Sequence, residues 1–575
     1  MAPTRQPEQI NTDVLVIGSG VGGLMAAIYA RDLGADVVIT TKGAFGKDGA
    51  ASWMAGAHFA AVLGPPDSPE AHTRDVVAAG KYLNNQSLMY EMLKHGTEVV
   101  QRLEEWGARL RKDDGQPSRG ARLGRTYNRG AYHVRGAYLG TDYRRVLPPQ
   151  VRKRGANVLE DFYVADLLTS GSRVVGAIGI DLRSGDFKVV SAKATIMATG
   201  GYLGCYEHRT GNSSLAGDGH AMALRAGADL MDMEFVQFMP LAIVWPPSLQ
   251  GCVLYSFADI IRGQLYNLRG ERFMERYYPD KKEFVLREAQ SRAIFREIRE
   301  GRGSSHGGVY LAINALPRNI IDSFIKRTER GRLWEKLREH GVDVYHDGIE
   351  IAPACHYTCG GLWIDERCRT SLEGLYAIGE VGSGGKDGAD RMSGHGIIYG
   401  LTMGIIAAKD AAGTVAEVAQ PDVDRQQVRR LVQDASEPLL RRSGTRQHEI
   451  KAEVRSVCST YGFYGRTETG LLEGLKRIEA VRKDAIPRVY STRKGRVLNG
   501  EWIGALEARN MADVAEMVLT SALMRKESRG LHERDDYPQT DPAWLQHILL
   551  NRKDGLLDLR VEPVVEFPVV EPPAV

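Results

Sequence analysis

Short apolar runs that end in glycines occur at three places along the chain and predict strands of a buried sheet. Residues 14–17 and 195–198 are two such runs, and residues 374–385 repeat the pattern with Glu380 at the strand end. Continuous β-branched runs are typical of parallel strands that are covered on both faces. Because the three runs lie far apart in sequence, we expect one sheet that an inserted unit, residues 236–349, interrupts.

The first run opens a complete strand–turn–helix–strand unit. Gly18, Gly20 and Gly23 follow it in G-x-G-x-x-G spacing, residues 24–33 read as a helix, and residues 37–40 read as the next strand. Glycines in this arrangement let the backbone approach a pyrophosphate at a helix N-terminus, so the unit predicts dinucleotide binding. The acidic residue that would hold a ribose is missing after the second strand, which counts against a plain NAD domain.

Changes in composition predict how the remaining chain is organised. Residues 416–545 carry charged side chains at helical spacing, and the last residues are rich in proline. These patterns predict a helical domain followed by an extended arm. The predicted boundaries are 1–235 and 350–415 for a two-part nucleotide-binding domain, 236–349 for the inserted unit, 416–545 for the helical domain and 546–575 for the arm.

The overall composition is that of an ordinary soluble globular protein. Of 575 residues, 43% are hydrophobic and 26% are charged, and the formal net charge is +3. Lys and Arg are mixed with Asp and Glu, which argues against a nucleic-acid surface. The chain has no apolar stretch of membrane-spanning length, and its polar N-terminus lacks the apolar region of a secretory signal. We therefore predict a cytoplasmic protein.

The six cysteines do not predict a disulfide framework or a metal site. Cys355, Cys359 and Cys368 are close in sequence, but their spacing matches neither a zinc nor an iron–sulfur pattern. Reduced thiols are expected. If electrons travel onward through clusters, a partner protein must supply those clusters.

The stretch DMEFVQFMPLAIVWPPS, residues 232–248, raises a question about Met239. A methionine in apolar company usually fills the core, because its flexible thioether adapts to gaps. The alternative is that Met239 faces a substrate. The run by itself does not decide between the two.

Several motifs together resemble the flavoprotein family of succinate dehydrogenase, fumarate reductase and L-aspartate oxidase, over nearly the whole chain. In family order they are LAGDGHAMALRAGADLMDMEFVQF, RGERFMERY, EIREGRG, HYTCGGLWID, YAIGEV and GADRMSGHG. The resemblance implies an α/β protein with a Rossmann-like FAD-binding domain, an inserted α+β capping domain and a C-terminal helical domain.

The same resemblance implies FAD as the cofactor, with Gly18, Gly20 and Gly23 at its pyrophosphate. Lys42 follows the second strand, where the family has a lysine in place of the acidic residue that would bind the ribose. The further cofactor contacts that the resemblance implies are Lys42, Ala165, Gly200, Asp218 and Glu380. The histidine to which the family attaches its flavin covalently aligns with Gly49, which has no nucleophile. We therefore expect FAD to be bound non-covalently.

Three residues match the family's catalytic positions. Arg287 aligns with the arginine that exchanges a proton with the substrate carbon, and His356 and Arg391 align with the pair that clamps a carboxylate. The residue types suit these roles, because arginine binds a carboxylate through two parallel hydrogen bonds. A guanidinium gives up a proton only in a desolvated, positively charged pocket, and a relay of other groups must then return a proton to it. Without the family context, the simpler interpretation is that each arginine forms a surface salt bridge and that His356 makes an ordinary polar contact.

The family's site for a second carboxylate is altered in this chain. Met239 replaces a histidine, and Tyr255 and Ser256 replace a threonine and the glutamate of the proton relay. We expect these three residues to line a substrate pocket that cannot pair with a second anion. Asp259 stands at the position of the relay arginine, so a relay through Ser256 and Asp259 is a further hypothesis.

These patterns predict a fumarate reductase-like and succinate dehydrogenase-like oxidoreductase that acts on CH–CH groups. Hydride would pass between flavin N5 and a carbon adjacent to an activated, carboxylate-like group of a small-molecule substrate. One alternative is an amino-acid or amine oxidase of the aspartate oxidase type, which acts on CH–NH2 groups and releases peroxide. A second alternative is the flavin subunit of an electron-transfer complex with an iron–sulfur partner. A third is a protein that binds FAD only structurally, which the retained Arg287, His356 and Arg391 argue against.

Overall fold

A computed structural model describes residues 6–47, 50–53, 55, 58–110, 112–113, 116–117, 119–120, 125–132, 139–254, 263–327 and 331–565. The strands in chain order are β1 (Glu8–Ile17), β2 (Val37–Thr40), β3 (His58–Ala60), β4 (Lys112–Asp113), β5 (Gln116–Pro117), β6 (Arg119–Gly120), β7 (Gly130–Tyr132), β8 (Asn157–Leu159), β9 (Phe162–Ser170), β10 (Arg173–Asp181), β11 (Phe187–Met197), β12 (Leu230–Met231), β13 (Val236–Ile243), β14 (Gln264–Tyr266), β15 (Val309–Ala312), β16 (Ile349–Thr358), β17 (Gly361–Leu362), β18 (Leu375–Ala377), β19 (Thr445–Arg446), β20 (Val489–Tyr490), β21 (Gln546–Lys553) and β22 (Leu556–Pro563).

The α-helices in chain order are α1 (Val21–Asp32), α2 (Ala50–Trp53), α3 (Pro69–Ala79), α4 (Gln86–Leu93), α5 (Gly96–Glu105), α6 (Leu139–Lys153), α7 (Asp218–Ala226), α8 (Met274–Tyr277), α9 (Arg287–Glu297), α10 (Arg318–Arg327), α11 (Gly331–Glu339), α12 (His395–Val415), α13 (Arg425–Leu440), α14 (Gln447–Tyr461), α15 (Glu468–Ala480) and α16 (Gly500–Met524).

The three glycine-terminated runs lie in one sheet, as the sequence predicts. Its strand order is β8-β2-β1-β11-β10-β9, and β18 pairs with β11. The pairings β1–β2, β1–β11 and β11–β18 are parallel. The first run, residues 14–17, is buried almost completely, which explains its continuous apolar character. The first helix begins at Val21, three residues before the predicted start.

Glycines bring α1 and α12 unusually close together. A Cβ added to Gly22 would lie 3.0 Å from the carbonyl oxygen of Gly400, and one added to Gly404 would lie 2.7 Å from that of Gly22. Only residues without a side chain allow the two backbones to approach this far. The close packing places the N-terminus of α12 beside the glycine-rich turn at the end of β1.

The inserted unit is built on an antiparallel sheet with the order β13-β16-β15-β14. An apolar cluster of its own, which includes Leu265, Phe273 and Trp334, packs under this sheet. The strand β16 continues past the predicted boundary at residue 349, because its apolar residues pair with β13 as far as Thr358. One strand therefore links the inserted unit to the nucleotide-binding domain. The other domain boundaries remain predictions.

The C-terminal helices pack on the outer part of the large sheet, where Leu439 and Trp502 meet Tyr163 and Ile178. Residues 546–563 of the predicted arm are extended, but they form a hairpin, β21–β22, rather than a separate tail. The hairpin pairs with β12, because residues 548–550 are apolar and buried. Among the described residues, none of the helices combines the length and apolar character needed to cross a bilayer.

Candidate active site

The glycine-rich turn forms a backbone cradle at the C-terminal end of β1. Gly18 has φ +113°, and a Cβ there would lie 2.3 Å from the carbonyl oxygen of Ala198. A Cβ on Gly23 would lie 1.9 Å from the carbonyl oxygen of Gly18. Side chains are therefore excluded at both positions. In this structure the first amide of α1, from Val21, donates to the Ser52 hydroxyl at 3.1 Å, so the cradle already presents donors to an oxygen.

Substitution of Gly23 by alanine is expected to abolish FAD binding. The added methyl group meets the Gly18 carbonyl oxygen at 1.9 Å, so the turn must move, and overpacking of this kind costs about 1–3 kcal/mol. The flavin content of the purified protein measures the effect. Gly413→Ala is the matched control, because nothing lies within 4 Å of a Cβ at that position in α12, and alanine in a helix should stabilise by about 0.5–1 kcal/mol. Retention of FAD by the Gly23 variant would contradict the cradle.

Lys42 and Asp218, both predicted cofactor contacts, form an ion pair with each other. The Lys42 ammonium also pairs with Glu507 at 2.9 Å, and the Asn510 amide donates to the Asp218 carboxylate at 2.7 Å. These carboxylates raise the pKa of Lys42 above its ordinary value, against the opposing effect of burial. Sequence reasoning did not find Glu507 and Asn510, since nothing local to α16 marks them.

The remaining predicted cofactor contacts lie along the same sheet. Ala165 is a half-buried residue of β9, and Gly200 follows β11 with φ +74°. The Glu380 carboxylate accepts hydrogen bonds from the backbone and the hydroxyl of Thr358 at 3.0 and 3.1 Å. Burial nevertheless raises the pKa of Glu380 to about 7. A Cβ on Gly201 would lie 2.2 Å from this carboxylate, so glycine keeps the space beside Glu380 open.

Arg391 lies in the interior and is held in a fixed orientation. Its Nη2 donates to Gln237 Oε1 at 2.8 Å and its Nη1 to the Met392 carbonyl at 3.1 Å. The guanidinium carbon lies 4.3 Å from the centroid of the Tyr357 ring. Its buried Nε has no hydrogen-bond partner among the described residues. A buried N–H without a partner is costly, so this atom is a natural donor to a bound carboxylate.

His356 lies on β16, the strand next to β13, and faces the same positive charges. Its Nδ1 is 2.7 Å from the Thr210 hydroxyl. Burial, followed by the charges of Arg391 and Arg287, lowers the pKa of His356 well below its ordinary value. The imidazole is therefore neutral near pH 7. The Thr210 hydroxyl also lies 3.4 Å from the Cys355 carbonyl oxygen. If its one hydrogen is donated to Nδ1 rather than to that carbonyl, the imidazole hydrogen sits on Nε2, where it can be donated to a carboxylate. Thr210 was not predicted, because it lies 146 positions from His356.

Arg287 is the first residue of α9 and joins the other two. Its Nη2 donates to the Arg391 carbonyl at 2.9 Å, and its Nη1 lies 3.9 Å from the sulfur of Met239. Met239 is thus a buried residue in contact with a candidate catalytic arginine. Its neighbour Phe238 belongs to the main core, where its ring centroid lies 3.9 Å from that of Phe463.

The structure therefore brings together four predicted site residues, Arg287, His356, Arg391 and Met239. Tyr255, Ser256 and Asp259 lie outside the described residues, as does Gly49. Their predicted roles remain predictions.

Comparison with known proteins places this arrangement in a family. A family model described as "FAD binding domain" matches residues 13–397, and one described as "Fumarate reductase flavoprotein C-term" matches residues 451–574. The chain belongs to the fumarate reductase and succinate dehydrogenase flavoprotein family. This flavoprotein is therefore an FAD-dependent oxidoreductase, which confirms the predicted family, fold class and cofactor.

Similar proteins match this flavoprotein along nearly its whole length. One subunit of the fumarate reductase (CoM/CoB) of Methanothermobacter marburgensis is 34% identical, over 95% of this chain and 98% of the relative. An L-aspartate oxidase of Streptomyces coelicolor is 30% identical, over 97% of this chain and 95% of the relative. The structure of E. coli quinol fumarate reductase aligns with a TM-score of 0.90 and 26% identity, over 99% of both chains.

Proposed function

We propose that this flavoprotein adds or removes hydrogen across a carbon–carbon bond next to a carboxylate or similar acyl oxygen, on a substrate whose remainder is apolar or aromatic. The convergence of Arg287, His356 and Arg391 beside Met239 carries the proposal. The arginines and the histidine suit one carboxylate, whereas a thioether cannot pair with another. Anaerobic reduction or reoxidation of the bound flavin by a panel of saturated and unsaturated monocarboxylates tests it. A flavin that responds to none of them would contradict it.

The chain's own groups divide the work of this reaction. Arg391 and His356 would hold the carboxylate and stabilise the negative charge that develops on it. Arg287 would then deliver a proton to the carbon next to that carboxylate, or remove one in the oxidising direction. Bound FAD would supply the hydride chemistry. The positive charge of Arg391 nearby supports the role of Arg287, because it favours loss of a proton from a second guanidinium.

The cofactor would be held by the groups described above. The backbone of Gly18, Gly20 and Gly23 would contact its pyrophosphate, and the fit rests on a cradle that a side chain would fill. The further contacts that we propose are Lys42, Ala165, Gly200, Asp218 and Glu380.

We expect FAD to leave the protein when the chain is denatured by acid. The position of the family's attachment histidine is Gly49, which offers no atom for a covalent bond. After precipitation of the yellow protein with acid, the flavin absorbance should appear in the supernatant. Flavin that stays with the precipitate would show a covalent bond and refute this expectation.

The likeness to L-aspartate oxidases keeps a second function open, the oxidation of an amino acid or amine to an imine. Both reactions need a carboxylate clamp and a flavin, so the clamp does not distinguish them. Hydrogen peroxide release on addition of amino acids in air would favour the oxidase. Reoxidation of the reduced flavin by an unsaturated acid in the absence of air would favour the proposed reaction.

A partner that carries electrons is a further proposal. The Methanothermobacter marburgensis relative is named as one subunit of its enzyme, which supports the proposal that this chain also works with another polypeptide. Because the cysteine spacings match no cluster motif, an iron–sulfur partner would have to supply any clusters. Purification of the native protein with an iron-containing polypeptide would test this.

A further inference from the structure

We propose that Asp390 carries the proton that reloads Arg287 after each transfer to substrate, and that Glu288 and Lys81 connect Asp390 to solvent. The inference rests on the proposed function, in which Arg287 protonates a carbon atom. It assigns a proton route to residues that sequence reasoning did not single out, distinct from the hypothetical route through Ser256 and Asp259.

The two carboxyl groups flank the candidate catalytic arginines. Glu288 follows Arg287 in the first turn of α9, and Asp390 precedes Arg391 in the chain. Both are buried, with exposures of 6% and 8%. The amide of Gln237 donates to Asp390 Oδ1 at 2.7 Å, while its oxygen accepts from Arg391 at 2.8 Å. Gln237 thus fixes Asp390 relative to the carboxylate clamp.

Hydrogen bonds place Asp390 near Arg287, and electrostatics favour a proton on it. The Arg391 carbonyl accepts from Gln237, which also donates to Asp390, at 2.8 Å and from Arg287 at 2.9 Å. Burial and the charge of Glu288 raise the pKa of Asp390, whereas Arg287, the Gln237 hydrogen bond and Lys81 act in the opposite direction. Asp390, whose pKa is raised to about 7, is therefore the carboxyl group that can hold a proton close to neutral pH. The other charged and titratable groups around the pair are Arg292, Tyr278, Tyr464 and Cys359.

Lys81 forms the outer end of the route. Its ammonium lies 3.7 Å from Glu288, and its side chain is 35% exposed. Lys81 and Tyr82 have φ angles of +55° and +62°, which are costly for residues with a side chain and are common at functional sites. The turn is held in place because Arg529 donates to the Lys81 carbonyl at 3.1 Å and the Ala389 amide donates to the Gly80 carbonyl at 2.9 Å.

The proton balance is simple. Arg287 loses one proton to the substrate carbon, Asp390 returns one proton to Arg287, and solvent at Lys81 returns one to Asp390 by way of Glu288. Asp390 holds its proton below its pKa of about 7 and loses it as the pH rises through that value. Reduction of substrate should therefore slow on the alkaline side of the profile.

The variants Asp390→Asn and Glu288→Gln test the route. Reoxidation of reduced flavin by the best unsaturated monocarboxylate is followed by stopped flow from pH 6 to 9, in H2O and in D2O. We expect each variant to slow this step by about tenfold or more and to show a larger solvent isotope effect. Asp390→Asn should lose the alkaline decline, whereas Glu288→Gln should move it to lower pH, because the charge of Glu288 raises the pKa of Asp390. Reoxidation by ferricyanide needs no proton on carbon, so it should be unchanged. Lys81→Met should also slow the step, whereas Lys94→Met, at a comparably exposed lysine paired with Glu91, should not.

A second readout needs no turnover. The infrared difference spectrum between the oxidised wild type and Asp390→Asn should contain the C=O band of one buried protonated carboxyl group, because the contribution of Glu380, whose pKa is also raised, cancels. If this band is absent from the difference spectrum, a proton on Asp390 is refuted whatever the substrate. The route is wrong if both variants reduce the unsaturated acid at the wild-type rate and with the wild-type pH profile. It is also wrong if the variants slow flavin reoxidation by ferricyanide as much as reoxidation by the unsaturated acid. If no unsaturated acid reoxidises the wild-type flavin, the proposed function fails instead, and the infrared band alone decides whether Asp390 holds a proton.

Discussion

Replacement of Arg287 by alanine should lower substrate turnover by about 10²–10⁴-fold while the flavin spectrum stays that of the wild type. The guanidinium touches Met239 and the Arg391 carbonyl, so its loss removes the proton donor from the pocket without disturbing the glycine-rich cradle. Single-turnover reoxidation of the reduced flavin by substrate measures the chemical step directly.

Two further variants make the Arg287 result specific. Arg287→Lys keeps a positive charge but not the planar group, so it should remain severely impaired. Arg299→Ala removes an arginine just beyond the other end of α9 that pairs with Asp535 at the surface, and it should retain wild-type turnover. Near-normal activity in Arg287→Ala would move the proton transfer to another residue.

Monocarboxylates with an apolar or aromatic remainder should be better substrates than fumarate or succinate by roughly a hundredfold. A second carboxylate would lie against the Met239 thioether, which cannot pair with it. A loss of about 3 kcal/mol in transition-state stabilisation already lowers kcat/KM by roughly a hundredfold. Met239→His should narrow this gap by at least about tenfold, because a neutral imidazole beside Arg287 gives the second carboxylate a hydrogen-bond donor. The measurement compares kcat/KM for fumarate with that for a panel of acrylate-like and arylacrylate-like acids.

Met239→Leu separates polarity from size in this experiment. Leucine fills a similar volume without a donor, so the preference for monocarboxylates should persist. If fumarate or succinate is the best wild-type substrate by a wide margin, the altered-pocket argument is wrong and Met239 is only a core residue.

The buried framework could be predicted from local patterns because its strands are covered on both faces. The run at residues 14–17 and the runs before Gly200 and after Gly374 are apolar without alternation, and they pair in one sheet. The glycine spacing after β1 was equally informative, since Gly18 and Gly23 leave no room for side chains. Family motifs then indicated Arg287, His356 and Arg391, which the structure brings together.

Partners that fix these side chains could not be predicted in the same way. Thr210 and His356 are 146 positions apart, and Gln237 and Asp390 are 153 apart. No local pattern links such pairs, because each residue alone reads as an ordinary polar residue. The β21–β22 hairpin was missed for a related reason: the proline-rich end dominated the prediction, and the pairing of residues 549–550 with the short strand β12 is visible only in three dimensions.

During synthesis, the N-terminal glycine-rich unit emerges from the ribosome long before the groups that balance its charges. Lys42 and Glu507 are 465 positions apart, so at about 5–20 residues per second roughly 25–90 s separate their translation. Asn510, which donates to Asp218, emerges equally late. Until then the Lys42–Asp218 pair lacks the neighbours that compensate its burial, and such a pair is costly to bury alone. We therefore expect stable loading of FAD to require the finished chain.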